Sequence, residues 1–152
     1  MTLHQLRGTE LGTVAPHSVL VAVDLSRTSL RAADYAAGLA RRSGVGVVGV
    51  YVRQNSALMQ TVPAASVYAY STENELAVEA GEYLADSAAR LGTSHAFTVL
   101  DGSPAQAIHG LARELRASAL VVGACEGWLH RRFGSLPARL ARTAPCPVII
   151  VP

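Results

Sequence analysis

Short apolar runs rich in valine and isoleucine recur along the chain, and segments with helical periodicity separate them. Most of these runs are continuous rather than alternating, which is typical of strands buried on both faces of a sheet. The alternation of strand and helix predicts an α/β fold: an open, doubly wound parallel sheet with helices on both faces. The runs span residues 18–24, 45–52, 94–100, 118–124 and 146–152.

Helix boundaries are marked by capping residues. Ser26 is of the residue type that favours an N-cap, here for a helix that runs to about Arg42, with Gly44 beyond its end. Ser103 precedes Pro104 and is followed by Gln106, a pattern that predicts an N-cap, a proline at the first helical position and a capping-box partner. A short helix over 135–142 precedes the last strand.

The stretch over residues 53–71 contains proline, polar residues and tyrosines without a clear period. We expect a long loop there, of the length that often forms a lid or a functional surface. The pattern Thr72-x-x-Glu75 is a capping box, so the next helix is predicted to begin at about residue 72 and to end at Gly92.

Length and composition restrict the class of protein. The 152 residues suit one domain over 18–152, with residues 1–17 as a mobile tail. Charged residues are 16% of the chain and the formal net charge is +2, which argues against a nucleic-acid partner. No apolar run reaches the roughly 20 residues of a membrane helix. Cys125 and Cys146 have neither metal-ligand nor disulfide spacing, so we expect a cytoplasmic protein.

Ligands of doubly wound sheets bind beyond the carboxyl ends of the strands, where the strand order reverses. This rule directs attention to Asp24, Val52, Gly102 and Gly123, each at or just past a predicted strand end. A carboxylate at Asp24 is suited to bind a ribose, or to assist a metal such as nucleotide-bound Mg²⁺. Equally, Asp24 is suited to order the turn into the first helix, and the residues alone leave both roles open.

The segment from Gly123 to Ser135 combines glycines with a helix start. Backbone N–H groups of Gly123 and Gly134, together with a helix N-terminus at Ser135, are suited to hold phosphate. Arg131 and Arg132 add positive charge. The alternative is a connection with a solvated basic face in which Ser135 caps its own helix. Glycines without a fixed spacing are a weak signal.

Catalytic motifs are not evident. The sequence has no G-x-S-x-G, no Walker loop and no His-Glu-x-x-His, and its five histidines are scattered. We therefore expect a protein that is not an enzyme, or at most a slow ATPase.

In their order along the chain, these segments resemble the universal stress protein family over residues 17–152. The segments that carry the resemblance are VLVAVDLSRTSLRAADYAAGLAR, DGSPAQAI, ALVVGA and GSLPARLARTAPCPVIIVP. The resemblance implies a Rossmann-like, adenine nucleotide alpha hydrolase-like sheet of five parallel strands in the order 3-2-1-4-5. It also implies a homodimer paired through the last strand, at 147–151, and, as in many members, binding of ATP with Mg²⁺.

The ATP-binding members share the pattern G-x2-G-x9-G-[ST]. Carried over residue by residue, the resemblance assigns a nucleotide-binding role to both ends of this pattern and to the ends of the first two strands. The ligand-binding residues that it implies are Ala22, Asp24, Val52, Gly123, Gly134, Ser135 and Leu136. The candidate set also includes Val122 and Gly127, together with Arg131 and Arg132 for their charge.

The middle of the pattern departs from the family. Glu126 occupies the place of the second glycine and Gly127 follows it, while ten residues separate Gly123 from Gly134 where the family has twelve. A carboxylate beside a triphosphate is repulsive unless a metal bridges them. Two hypotheses follow: a stress-response regulator that binds an adenine nucleotide, or a homodimeric interaction module that has lost it. A flavin carrier of similar architecture is a third, weaker reading.

Overall fold

A computed structural model describes the chain over residues 16–54, 63–125 and 135–152, with residues 63–70 described by their backbone alone. The predicted tail over 1–17 therefore lies almost wholly outside the described residues. The strands are β1 (Val19–Ala22), β2 (Val47–Arg53), β3 (His95–Asp101), β4 (Ala119–Gly123) and β5 (Val148–Val151). The helices are α1 (Arg27–Ser43), α2 (Pro63–Leu91), α3 (Pro104–Glu114) and α4 (Leu136–Thr143).

The five described strands form one parallel sheet in the order β3-β2-β1-β4-β5. The predicted fold class and the strand order implied by the family resemblance are both confirmed. Strand β1 lies at the centre, with β2 on one side and β4 on the other. From β1 the chain adds β2 and β3 on one side of the sheet, and it then crosses back to add β4 and β5 on the other side. The strand order therefore reverses between β1 and β4, which is the position where such sheets bind ligands.

Two apolar cores cover the two faces of the sheet. On one face, α1 and α2 pack small side chains such as Ala33, Ala36 and Ala80 against valines of the central strands. On the other face, α3 and α4 contribute Ile108 and Leu140. Small alanine side chains let the helices approach the sheet closely. None of the helices described by the structure is both long and apolar enough to cross a membrane.

The first helix has the predicted caps. The Ser26 Oγ accepts a hydrogen bond from the Ser29 N–H at 3.3 Å, and Gly44 follows the helix in the left-handed conformation with φ of 67°. An N-cap at Ser26 places the start of α1 directly after the end of β1, which brings its first turn to the ligand-binding edge of the sheet.

The predicted loop over residues 53–71 was wrong over 63–71, because α2 begins at Pro63, while residues 55–62 lie outside the described residues. Proline is favoured in the first turn of a helix, since its fixed φ is helical and it has no N–H to leave unpaired. The Thr72–Glu75 pattern therefore lies inside α2 and does not start it. Two side-chain hydrogen bonds tie this part of α2 to β2: Tyr51 Oη donates to Glu73 at 2.7 Å, and Arg53 donates to Asn74 at 2.6 Å.

The third helix begins as predicted, with Ser103 at the N-cap and Pro104 at the first position. The capping-box interaction with Gln106 was wrong, because the Ser103 side chain makes no capping hydrogen bond. The side chains of Ser103 and Gln106 are both exposed, so water competes for the hydrogen bonds of the capping box. The Ser103 side chain consequently leaves the first N–H groups of α3 uncapped.

Candidate functional site

A cleft of about 470 Å³ opens at the carboxyl edge of the sheet, between β1, β2 and β4. This volume lies in the usual range for small-molecule sites. The first turns of α1, α3 and α4 border it, so three helix N-termini meet there. The described lining residues are Ala22, Val23, Asp24, Ser26, Ser29, Val50, Val52, Gln54, Ser103, Pro104, Ala105, Ile108, Val122, Gly123, Ala124, Cys125, Leu136, Pro137 and Arg139.

The floor of the cleft is apolar. Ala22, Val52 and Val122 come from three neighbouring strands, and Val50 and Ile108 extend the same surface. The sheet register pairs Ala22 with Val50, which places these side chains side by side. Such a surface can hold a flat, weakly polar ring against the strand ends.

Asp24 orders the turn from β1 into α1. Its Oδ1 accepts hydrogen bonds from the Ser26 N–H at 3.0 Å and the Ser26 hydroxyl at 2.6 Å. The Asp24 N–H in turn donates to the Ser29 hydroxyl at 3.2 Å. Leu25, between them, has a positive φ of 65°, a conformation that non-glycine residues rarely adopt. The carboxylate therefore stabilises a tight and strained turn.

The second oxygen of the same carboxylate remains available. Both of the hydrogen bonds from Ser26 fall on Oδ1, so Oδ2 accepts none from Ser26. Partial burial acts to raise the pKa of Asp24, but the hydrogen bonds from Ser26 and Ser29 outweigh it and hold that pKa below its ordinary value. Asp24 is thus an anion at neutral pH in the lining of the cleft.

Gly123 is required by the packing of β4 on α1. A Cβ at this position would lie 2.6 Å from the Ser29 backbone nitrogen and 2.7 Å from the Thr28 hydroxyl. The Thr28 hydroxyl also donates to the Ala124 carbonyl at 2.7 Å, which fixes the chain just after β4. This glycine allows close approach of two backbones within the protein.

Ser135 caps its own helix. Its hydroxyl accepts from the Ala138 N–H at 3.4 Å, which is one of the two roles that the sequence left open. Leu136 and Pro137 follow and line the cleft, and Arg139 lies one turn further along. Leu140, further along α4, is fully buried and anchors the helix to the sheet.

Charge is sparse in the cleft. Among its described lining residues only Asp24 and Arg139 are ionised at neutral pH. Three helix N-termini add partial positive charge, since unpaired N–H groups and the helix dipole both favour an anion. The site therefore combines an apolar floor, one carboxylate acceptor and a mildly positive wall.

The structure brings most of the predicted residues together. Ala22, Asp24, Val52, Val122, Gly123 and Leu136 all line the cleft, and Ser135 precedes the helix that borders it. The remaining predicted residues, Gly127, Arg131, Arg132 and Gly134, lie outside the described residues, as does Glu126.

The sequence reasoning missed the contribution of α3, of Gln54 and of Arg139. The rule of strand ends pointed to Gly102, and the helix that starts next to it supplies Ser103, Pro104 and Ala105. If the rule had been applied to the starts of helices as well as to the ends of strands, it would have identified these three residues at the start of α3. Arg139 carries no sequence signal beyond its place four residues after Ser135.

No metal cluster is evident in the part of the chain that the structure describes, where no group of three histidines, cysteines or carboxylates lies close enough to hold an ion. Cys125 and Cys146 are free thiols. Burial raises the pKa of Cys146, so that thiol is a weak nucleophile. Cys125 lines the cleft and Cys146 packs against the α3 side of the core.

Comparison with protein-family models gives a match to the universal stress protein family over residues 16–152. The chain belongs to the universal stress protein family. No curated protein sequence matches it significantly. Among solved structures, a Burkholderia pseudomallei member of the family is 28% identical, with a TM-score of 0.70, and the match covers 90% of this chain and 96% of that one.

Two further relatives were solved with adenine nucleotides. A universal stress protein in complex with cAMP is 29% identical, with a TM-score of 0.71, over 88% of this chain and 95% of that one. The Archaeoglobus fulgidus universal stress protein in complex with dAMP is 26% identical, with a TM-score of 0.68, over 88% and 96%. Adenine nucleotide binding is therefore a property found within the family.

Proposed function

We propose that this universal stress protein is a cytoplasmic stress-response regulator that binds an adenine nucleotide, ATP, in the cleft at the ends of β1, β2 and β4. The observation that carries the proposal is the composition of the cleft: an apolar floor, a carboxylate with an available acceptor, and converging helix N-termini. Relatives with the same fold that bind cAMP and dAMP support it.

The apolar floor suits the base. An adenine ring would pack against Ala22, Val52 and Val122, which together offer a surface without charge. Gln54, at the end of β2, adds an amide that can both donate and accept hydrogen bonds at the rim of this surface.

The carboxylate suits the ribose. Asp24 Oδ2 is an acceptor on an ionised group, and a ribose hydroxyl would donate to it. Hydrogen bonds to ionised acceptors are short and strong, so this contact would contribute much of the affinity for the sugar.

The helix N-termini suit the phosphates. The first turn of α3 is free of side-chain capping, and its N–H groups are the type of donor that binds phosphate in other proteins. Mg²⁺ would arrive on the phosphates of the nucleotide, and Asp24 is the carboxylate of the described lining that could meet it.

The nucleotide is proposed as a regulatory ligand rather than as a substrate that is turned over. The described lining contains no histidine or lysine, and Asp24, with its lowered pKa, is a weak general base. Binding would order the residues around the cleft and thereby alter contacts with a protein partner.

The proposal is tested by titrating the purified protein with ATP and Mg²⁺, and with AMP, in a calorimeter, alongside Asp24→Asn and Asp86→Asn. Asparagine at the first position keeps the shape of the side chain but loses the charge, and binding should weaken roughly tenfold, as expected for a hydrogen bond to a charged group. Asp86 is a carboxylate of α2 outside the cleft lining, so its variant should bind normally. Lack of heat and of any melting-temperature shift at millimolar nucleotide would refute the proposal.

A second candidate is a homodimeric interaction module that does not bind nucleotide. It is favoured by β5, a strand that pairs only with β4 among the described strands. Ile150 on this strand is 46% exposed. An apolar edge strand needs covering, and pairing with the same strand of a second copy would cover it. This candidate would be favoured if the wild type is a dimer that does not bind nucleotide and the Glu126→Gly variant does bind it.

A further inference from the structure

Arg139 is an arginine without a partner in the described structure. It lines the cleft, is exposed, and its guanidinium forms no ion pair or hydrogen bond with a described residue. Two of the described arginines do have carboxylate partners, since Arg53 is paired with Asp101 and Arg90 with Asp34. The charge of Arg139 therefore stabilises nothing evident within the described fold.

Its place in α4 is electrostatically unfavourable for the protein alone. Arg139 is the fourth residue of the helix, and the first turn contains no acidic side chain. The positive end of the helix dipole disfavours a cation there. An anion bound at the same turn would be attracted both by the helix dipole and by the Arg139 guanidinium. A phosphate in the cleft would therefore offset the repulsion between Arg139 and the N-terminus of α4.

Arg139 and Asp24 are the two charged groups of the described lining. A ligand that meets both must present hydrogen-bond donors to one and negative charge to the other. A nucleoside has the donors on its sugar but lacks the charge, whereas a nucleotide has both.

We propose that Arg139 is the specificity-determining residue by which the cleft selects phosphorylated nucleotides over nucleosides. This inference rests on the proposed nucleotide binding and assigns its charge selectivity to one side chain. The planar guanidinium can bind two phosphate oxygens at once, which gives it more directional contact than a point charge.

The experiment compares AMP with adenosine by calorimetry at fixed ionic strength, using wild type, Arg139→Gln, Arg139→Lys and Arg142→Gln. Arg142 is an exposed arginine of the same helix that does not line the cleft, so its variant controls for net charge. Arg139→Gln should weaken AMP binding about tenfold and leave adenosine binding within about twofold, as expected for a charge-assisted contact to phosphate. Arg139→Lys should restore part of the loss.

Each outcome separates this inference from the proposed function. If Arg139→Gln binds AMP as the wild type does, or loses AMP and adenosine equally, the charge selectivity lies elsewhere and the inference is wrong, although nucleotide binding stands. An equal loss in Arg142→Gln would mean that net charge alone acts, and would also overturn it. If the wild type binds neither AMP nor adenosine, both the proposed function and the inference fall.

Discussion

Gly123 and Ser29 meet where β4 packs on the first turn of α1, with 2.6 Å between the Ser29 nitrogen and the position that a Cβ on Gly123 would take. Real Cβ atoms do not approach a backbone atom so closely, and backbone cannot yield as a flexible side chain can. The glycine that the sequence pattern assigned to phosphate binding is therefore needed by the fold itself, at the edge of the cleft.

Gly123→Ala should destabilise the protein by roughly 1–3 kcal/mol, the usual range for forcing extra atoms into a packed interior. Urea unfolding followed by circular dichroism gives the change in free energy. Gly110→Ala is the matched control, since Gly110 lies within α3 with no atom within 4 Å of its added Cβ. That variant should stabilise by about 0.5–1 kcal/mol. If Gly123→Ala leaves the free energy of unfolding unchanged, α1 and β4 can move apart at little energetic cost.

The ion pair of Arg53 with Asp101 joins β2 to β3. Arg53 Nε and Nη2 donate to the two carboxylate oxygens at 2.7 and 2.9 Å, and the Arg53 side chain is only 10% exposed. Asp101→Ala should cost about 1–2 kcal/mol, less than the roughly 3–5 kcal/mol of a fully buried pair, because Asp101 itself is half exposed.

The matched comparison is Arg90→Gln, which removes the ion pair with Asp34 at 3.2 Å. Asp34 is about as exposed as Asp101, but Arg90 is 67% exposed where Arg53 is 10% exposed, so the change in unfolding free energy should stay within about 1 kcal/mol. Equal losses for the two variants would contradict the argument that burial sets the difference.

The architecture could be predicted from the sequence because it depends on local patterns that the tertiary structure did not override. The apolar runs predicted all the described strands, and Ser26 and Gly44 bound α1 as expected. The start of α2 at Pro63 could not be predicted this way, because a helix without a clean apolar period is stabilised by contacts distant in sequence, such as the bond from Tyr51 to Glu73.

The candidate site was predictable in part for a related reason. The rule of strand ends is a rule of topology, and it correctly brought Asp24, Val52 and Gly123 to one cleft. It could not tell that Gly123 also makes room for α1, since that depends on how closely two backbones approach. Nor could it place Arg139, whose position follows from how α4 lies over the sheet.

The turn at Asp24 predicts a pH dependence. Its folded-state pKa lies below the unfolded value of about 3.9, so the carboxylate stabilises the fold above that pH. The contribution should be lost as the pH falls below about 4 through the lowered folded-state pKa. Because Asp24 is exposed and screened, the effect should be a fraction of a kcal/mol.

The measurement is the difference in unfolding free energy between the wild type and Asp24→Asn from about pH 7 to about pH 3, a range that spans the titration of a carboxylate. The wild type should be the more stable of the two at neutral pH, and the difference should shrink in acid. The other carboxylates are common to both proteins and largely cancel. A difference that grows in acid would mean that the pKa of Asp24 is raised by folding.

The edge strand β5 predicts the effect of a charge on association. Ile150 is exposed, whereas Ile149 on the same strand packs against the core beneath α1 and α2, so a charge at Ile149 would disturb the fold. Ile150→Lys should therefore keep the melting temperature of the monomer and abolish the proposed dimer, which sedimentation velocity would report as a shift to half the mass. Val78→Lys is the control, since Val78 is equally exposed at 46% but lies on α2. A dimer that persists in Ile150→Lys would place the interface elsewhere, and a wild type that is monomeric at all concentrations would refute self-pairing altogether.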